Sequence, residues 1–120
     1  MNDKQNPLKD KSFAFAVRCI NLYKCLTEKK EFVMSKQLLR SGTSIGANIR
    51  EAQNAESKAD FVHKLAISQK ECDETMYWLE LLQATEFLSQ EEYNSMNKEA
   101  QELLKMLRSS ILTTKQNLTK

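Results

Sequence analysis

The apolar positions of the chain fall into four stretches with helical spacing. Phe61, Leu65, Ser68, Cys72, Thr75, Leu79 and Leu82 recur at alternating steps of four and three, which returns side chains to one face of an α-helix. This heptad seam predicts a helix over about 58–84. Tyr93, Met96, Ala100, Leu103, Leu104, Leu107 and Ile111 line one face of a second, over about 90–115. Leu38, Ile45, Ile49 and Ala52 do the same over about 32–55. The first stretch, about 7–28, carries two stripes: Phe13, Ala16, Val17, Ile20 and Tyr23 on one side, Phe15, Cys19, Leu22 and Leu26 on the other. Together they span roughly 220° of the helix circumference, more than a surface helix needs for one core. The excess predicts a second buried contact, most simply with another subunit.

Helix starts are written in the polar residues between these stretches. Asn6 can cap and Pro7 suits the first helical position. Ser57-Lys-Ala-Asp60 and Ser89-Gln-Glu-Glu92 have the form of capping boxes, the first with Asp in place of Glu. After Ser110 the chain turns polar and is expected to fray. Joints of a few residues force successive helices to lie antiparallel. The predicted architecture is all-α, an up-down-up-down four-helix bundle forming one domain over 1–120.

Both glycines of the protein, Gly42 and Gly46, sit in RSGTSIGANIREAQNAE. A phosphate-binding loop needs GxxxxGK[ST] after a strand; the spacing here is GxxxG, the lysine is missing, and the preceding SKQLLR reads as helix. Each Gly inside a helix costs about 1 kcal/mol relative to Ala. With Ser41, Ser44 and Ala47 alongside, the pair clears one face so that a second helix can approach closely, and dispersion contacts offset the loss.

Composition agrees with few turns: 120 residues hold two Gly and one Pro, with 41% hydrophobic and 28% charged. Such a chain has ample apolar surface for one core and is not of disordered type. A net charge of +2 lacks the strong basic excess usual in nucleic-acid binders, but its distribution is uneven. Residues 7–30 carry six Lys/Arg against two acids, and 57–84 carry three against five, an asymmetry able to steer helices or subunits together. Cys19, Cys25 and Cys72 are odd in number and lack CxxC spacing. With no signal-peptide pattern, they read as reduced thiols in the cytoplasm. No apolar run approaches the ~20 residues that span a membrane.

Candidate chemistry is sparse. Arg40, Ser44, Asn48 and Glu51 form a polar ribbon on the second helix, and Ile67, Glu71, Glu74 and Trp78 repeat that spacing on the third. Half-buried carboxylates demand a partner, with Arg40 and Arg50 the candidates, so a register-fixing ion network is favoured over acid–base catalysis by Glu71 and Glu74. His63, the single histidine, falls off the apolar seam and lacks the neighbours that zinc or a catalytic triad requires. No Glu-x-x-His pair is present for a di-iron bundle. No catalytic residue, cofactor or metal is therefore expected. Tyr77 and Trp78 could stack bases, but burial in a core or subunit interface is favoured. Lys9, Lys11, Arg18 and Lys29 on the first helix are the best candidates for phosphate contacts, followed by Lys36, Arg40 and Arg50 on the second.

At these residues the chain resembles a known family. Gln37-Leu38-Leu39-Arg40, Ser44, Asn48-Ile49, Glu51, the Phe61–Leu65 segment, Glu71-x-x-Glu74 and Tyr77-Trp78-Leu79 are similar to the four-helix proteins named after the 23S rRNA intervening sequence. Accessory variability proteins of diversity-generating retroelements belong to the same group. The resemblance runs from roughly Leu8 to Ile111 and is most specific over 37–82. It implies four-helix protomers assembling as a homopentameric barrel. For the retroelement proteins it also implies nucleic-acid and reverse-transcriptase binding through a basic surface, a feature this near-neutral chain does not share. The expected role is a non-enzymatic homo-oligomeric adaptor for RNA, DNA or a protein partner, the alternative being a structural protein–protein module without nucleic-acid binding.

Overall fold

A computed structural model describes residues 6–118. Four α-helices follow one another: α1 Pro7–Glu28, α2 Met34–Gln53, α3 Lys58–Ala84 and α4 Gln90–Leu118. α1 packs on α2, α2 on α3, α3 on α4, and α4 closes back on α1. The helices thus stand at the corners of a square, with α1 diagonal to α3, in a rod of 51 × 22 × 21 Å. An all-α four-helix architecture is what the periodicity predicts.

The core is built from the predicted seams. Leu65, Ser68, Cys72, Thr75, Leu79 and Leu82 are the buried residues of α3, and Leu38, Ile45, Ile49 and Ala52 are buried on α2. From α4 come Met96, Ala100, Leu103, Leu104 and Leu107. The polar members of the seam find partners on the neighbouring helices: Ser68 Oγ donates to Ile45 O (2.8 Å), Thr75 Oγ1 to Ser41 Oγ (2.8 Å), and Cys72 Sγ to Ala100 O (3.2 Å). Buried polar groups paired in this way fix the register of α2, α3 and α4.

The two stripes of α1 part company. Phe15, Cys19 and Leu26 are fully buried, whereas Phe13, Val17 and Ile20 stay 58%, 41% and 37% exposed. A four-helix core accepts only one face of each helix, so these three members of the second stripe stay outside it, while Ala16 and Tyr23 are half-buried.

The glycines lie in α2 against α1. A Cβ on Gly42 would stand 2.5 Å from Cys19 Sγ, and one on Gly46 3.3 Å from Ser12 Oγ. Close approach of two helices is therefore the reason for the GxxxG spacing.

Caps follow the polar signals with one displacement. Asn6 Oδ1 accepts from Lys9 N–H with Pro7 at the first position. Ser89 and Glu92 make the full reciprocal box, at 3.0 and 3.1 Å. At α3 the Ser57 hydroxyl accepts from Asp60 N–H, but the Asp60 carboxylate accepts from Glu56 rather than Ser57. α2 starts at Met34, two residues later than the apolar pattern implies, because Glu31 caps it. That buried carboxylate accepts from the N–H groups of Val33, Met34 and Ser35, at 3.2, 3.1 and 2.6 Å. Four helix-terminal donors need partners, and a carboxylate there also faces the positive end of the helix dipole. α4 does not fray after Ser110: it continues to Leu118, with Thr114 Oγ1 donating to Ser110 O (2.8 Å). No breaker interrupts that tail, and polarity alone does not end a helix.

Candidate functional site

Three surfaces carry most of the residues singled out in the sequence. The first is the polar ribbon where α2 meets α3. Arg40 Nη2 reaches Glu74 Oε2 at 2.7 Å, and Arg40 Nη1 lies 3.7 Å from Glu71 Oε1. The same Glu74 oxygen accepts the Trp78 indole N–H at 3.0 Å. That indole hydrogen bond, together with the Arg40 guanidinium, holds the Glu74 carboxyl below its ordinary value against the opposing effect of desolvation. A depressed folded value means that the network stabilises the fold above the ordinary carboxylate range. The contribution is lost as pH falls through the folded value. Glu71 Oε1 is buried and makes no hydrogen bond, so the arginine at 3.7 Å is its compensation.

Farther along α2, Ser44 and Asn48 donate to the carbonyls of Arg40 and Ser44, one turn back on their own helix, and Glu51 pairs with Lys64 of α3 at 2.9 Å. Arg40, Glu71 and Glu74 are thus brought together as an ion network across α2 and α3, while Ser44 and Asn48 serve the backbone. Arg50 does not join them. Its guanidinium lies over the Phe13 ring, 5.7 Å from the centroid.

The second surface is the seam between α1 and α4. Lys11 reaches Glu102 at 3.7 Å and Arg18 pairs with Glu99. Two clefts flank the Arg18–Glu99 bridge. One, of ≈ 230 Å³, is lined by Leu22, Cys25, Leu88, Glu92 and Met96 among others, and the second, of ≈ 240 Å³, by Lys11, Ala14, Glu99, Glu102 and Leu103. Cys25 is exposed there, whereas Cys19 and Cys72 are buried in the core. Burial pushes both of those thiols up to about 12, which makes them poor nucleophiles at neutral pH.

The third surface is the outer edge of α1 with the groove it forms on α2. Lys9, Phe13, Val17, Ile20 and Lys24 follow at helical steps of four, four, three and four and are all exposed. A shallow groove of ≈ 110 Å³ runs beside them between Ser12, Phe13, Gly46 and Arg50.

The candidate phosphate contacts are therefore divided. Lys11 and Arg18 are neutralised by α4, and Arg50 covers Phe13. Lys29 Nζ donates to Phe87 O at 3.4 Å, at the end of the bundle. Lys9 and Lys36 are exposed and make no ion pair among the described residues. Sequence periodicity could not reveal this division, because the acids that absorb Lys11 and Arg18 lie more than 80 residues away on another helix. Tyr77 is 54% exposed, and its ring stands edge-on to half-buried Trp78 at 5.1 Å, so only one of the aromatic pair is covered within the protomer. His63 is exposed. Among the described residues no group of three or more His, Cys, Asp or Glu is placed to hold a metal ion. Among the described residues no helix is long and apolar enough to cross a membrane.

Residues 4–109 match the family model of the 23S rRNA-intervening sequence protein. Among solved structures, the chain is similar to a protein with unknown function from the S23 ribosomal protein family of Bacteroides thetaiotaomicron VPI-5482. The two are 62% identical with a TM-score of 0.86, over 87% of this chain and 97% of that one. No curated protein matches the chain.

Proposed function

This chain belongs to the 23S rRNA-intervening sequence protein family, and from that premise we propose that it acts without enzymatic chemistry, as a cytoplasmic homo-oligomeric adaptor. The observation that carries this reading is the exposed apolar edge of α1: Phe13, Val17 and Ile20 stand on one helix face beside a groove floored by Gly46. Covering three such side chains in a neighbour contributes on the order of 1 kcal/mol each, since each is already partly buried. Contiguous exposed apolar surface of this kind marks a contact site. Five protomers is the number that the likeness to the assembling members of the family favours. The absence of enzymatic chemistry is supported by the ion network, in which Glu71 and Glu74 are clamped by Arg40 and do not line any of the three clefts described.

A second reading adds nucleic acid as the adaptor's partner. Lys9 and Lys36 favour it, being exposed cations without acidic neighbours in an ion pair. The neutralised Lys11 and Arg18 favour the alternative, a protein–protein module with no nucleic-acid role. Light scattering on the purified chain, with the 260/280 nm absorbance ratio read across the same peak, separates these. A mass of five protomers is expected, and a monomer at micromolar concentration overturns the oligomeric reading. RNA or DNA binding that falls steeply with salt and weakens in Lys9→Glu/Lys36→Glu would support the nucleic-acid adaptor. No binding even at low salt would leave the protein–protein module.

A further inference from the structure

Resting on the oligomeric reading above, we infer that the occupant of the α1 edge is the outer edge of α3 on a second copy of this chain, in a head-to-tail contact. The two edges complement each other. On α1 the exposed run is Lys9, Phe13, Val17, Ile20, Lys24, an apolar centre bounded by cations, with the Arg50 guanidinium over Phe13. On α3 the exposed run is Lys70, Asp73, Tyr77, Glu80, Ala84, an aromatic bounded by carboxylates, with the Trp78 ring against Tyr77.

Distances along the axes are compatible. From Phe13, which carries the Arg50 guanidinium, to Lys24 is roughly 16 Å and from Asp73 to Glu80 roughly 10 Å at 1.5 Å per residue, a difference that Lys and Arg side chains reach across, with Lys9 one turn beyond. Neither Asp73 nor Glu80 forms an ion pair among the described residues, and neither does Lys24. Their charges therefore stay available to a neighbour, unlike those of Lys11, Arg18 and Arg40. Tyr77 supplies a rigid amphipathic surface for Phe13 and Val17 to pack on. The flanking charges set the register and disfavour like-with-like pairing of two α1 edges, which would bring Lys9 and Lys24 against each other.

Position in the fold decides the kind of assembly. α1 and α3 stand on diagonal corners of the square, so a protomer presents the two edges on opposite sides. A contact between different patches is heterologous, and its repetition generates a ring whenever the rotation closes. The same α1 edge meeting itself would stop at a dimer.

Native mass of the full chain tests this, with circular dichroism confirming that each variant stays folded. Val17→Asp and, separately, Tyr77→Ala with Asp73→Lys and Glu80→Lys are each expected to give monomers. All four positions are exposed, and Ile20→Asp replaces Val17→Asp if that variant proves unstable. Mixing the two monomeric variants should then give a complex of two protomers, because each retains the edge the other has lost. A wild-type monomer overturns the oligomeric reading itself. An oligomer that Val17→Asp disrupts but the α3 variant leaves intact, or two monomers that do not combine, overturns the α1–α3 contact while leaving oligomerisation standing.

Discussion

At the scale of single residues, the two glycines are the sharpest constraint, and they are not equivalent. A methyl group at Gly42 would meet Cys19 Sγ at 2.5 Å and Cys19 Cβ at 3.0 Å, both on a fully buried side chain. At Gly46 the first contact is the Ser12 hydroxyl at 3.3 Å, which a small shift relieves. Overpacking costs typically 1–3 kcal/mol, and replacing a helical Gly by Ala returns about 1 kcal/mol. Gly42→Ala is therefore expected to lower unfolding stability by up to about 2 kcal/mol and Gly46→Ala by less. In a Cys19→Ala background the Gly42→Ala cost should shrink, since the thiol is gone. Denaturant unfolding of the four proteins of the Gly42/Cys19 cycle, at one protein concentration, measures the coupling; a cost unchanged by Cys19→Ala would mean that the clash is not with that thiol. Spacing alone identified the small-residue face and offered Arg40 and Arg50 together as partners for Glu71 and Glu74. It could not choose between Arg40 and Arg50, because helical spacing places both near α3 and only the packed bundle turns Arg50 toward Phe13.

At the scale of the elements, the turns hold what the sequence concealed. α1 and α3 both end in a Schellman arrangement: Lys30 N–H donates to Thr27 O and Glu31 N–H to Leu26 O, while Glu86 N–H donates to Gln83 O and Phe87 N–H to Leu82 O. Its left-handed residue is usually Gly. Here it is Lys30 at φ 67° and Glu86 at φ 70°, which is why no glycine announced these two turns. A side chain in that region costs roughly 1–2 kcal/mol, partly set against the greater freedom that Gly has when unfolded. Lys30→Gly and Glu86→Gly are each expected to raise stability by up to about 1 kcal/mol in thermal or denaturant unfolding, and a loss of stability at both would show that their side chains contribute more than the backbone conformation costs. The start of α2 was displaced for a related reason. Phe32 and Val33 continue the apolar pattern, yet they lie in the joint, 54% and 73% exposed, because Glu31 places its cap at the amides of Val33, Met34 and Ser35.

At the scale of the molecule, the four interhelical seams differ in kind. α1–α2 is closed by glycine contacts, and α2–α3 and α3–α4 by buried hydrogen bonds. α1–α4 is bridged by two half-exposed ion pairs with a cleft on either side of one of them. Such pairs contribute about 0.2–1 kcal/mol each and are screened by salt. Replacing Glu99 and Glu102 together by Gln should lower the melting temperature by a few degrees at low ionic strength. The gap between variant and wild type should close as NaCl approaches molar concentration; a gap independent of salt would mean that these side chains act through packing.

Helix number, the core faces of α2, α3 and α4 and three of the four helix starts were written in the sequence, because periodicity and capping are local and a single helix expresses them by itself. The second stripe on α1 was equally legible as surplus. Which stripe turns inward was a tertiary decision: Cys19 and the neighbouring Ser12 fit the narrow approach that Gly42 and Gly46 allow, Phe15 is buried with them, and Phe13, Val17 and Ile20 were left outside. The same holds for charge. Six cations against two acids over residues 7–30 read as a basic helix until α4 folds alongside and neutralises two of them, since the effect of a charge depends on its neighbours in space and those are set by the packing of distant helices.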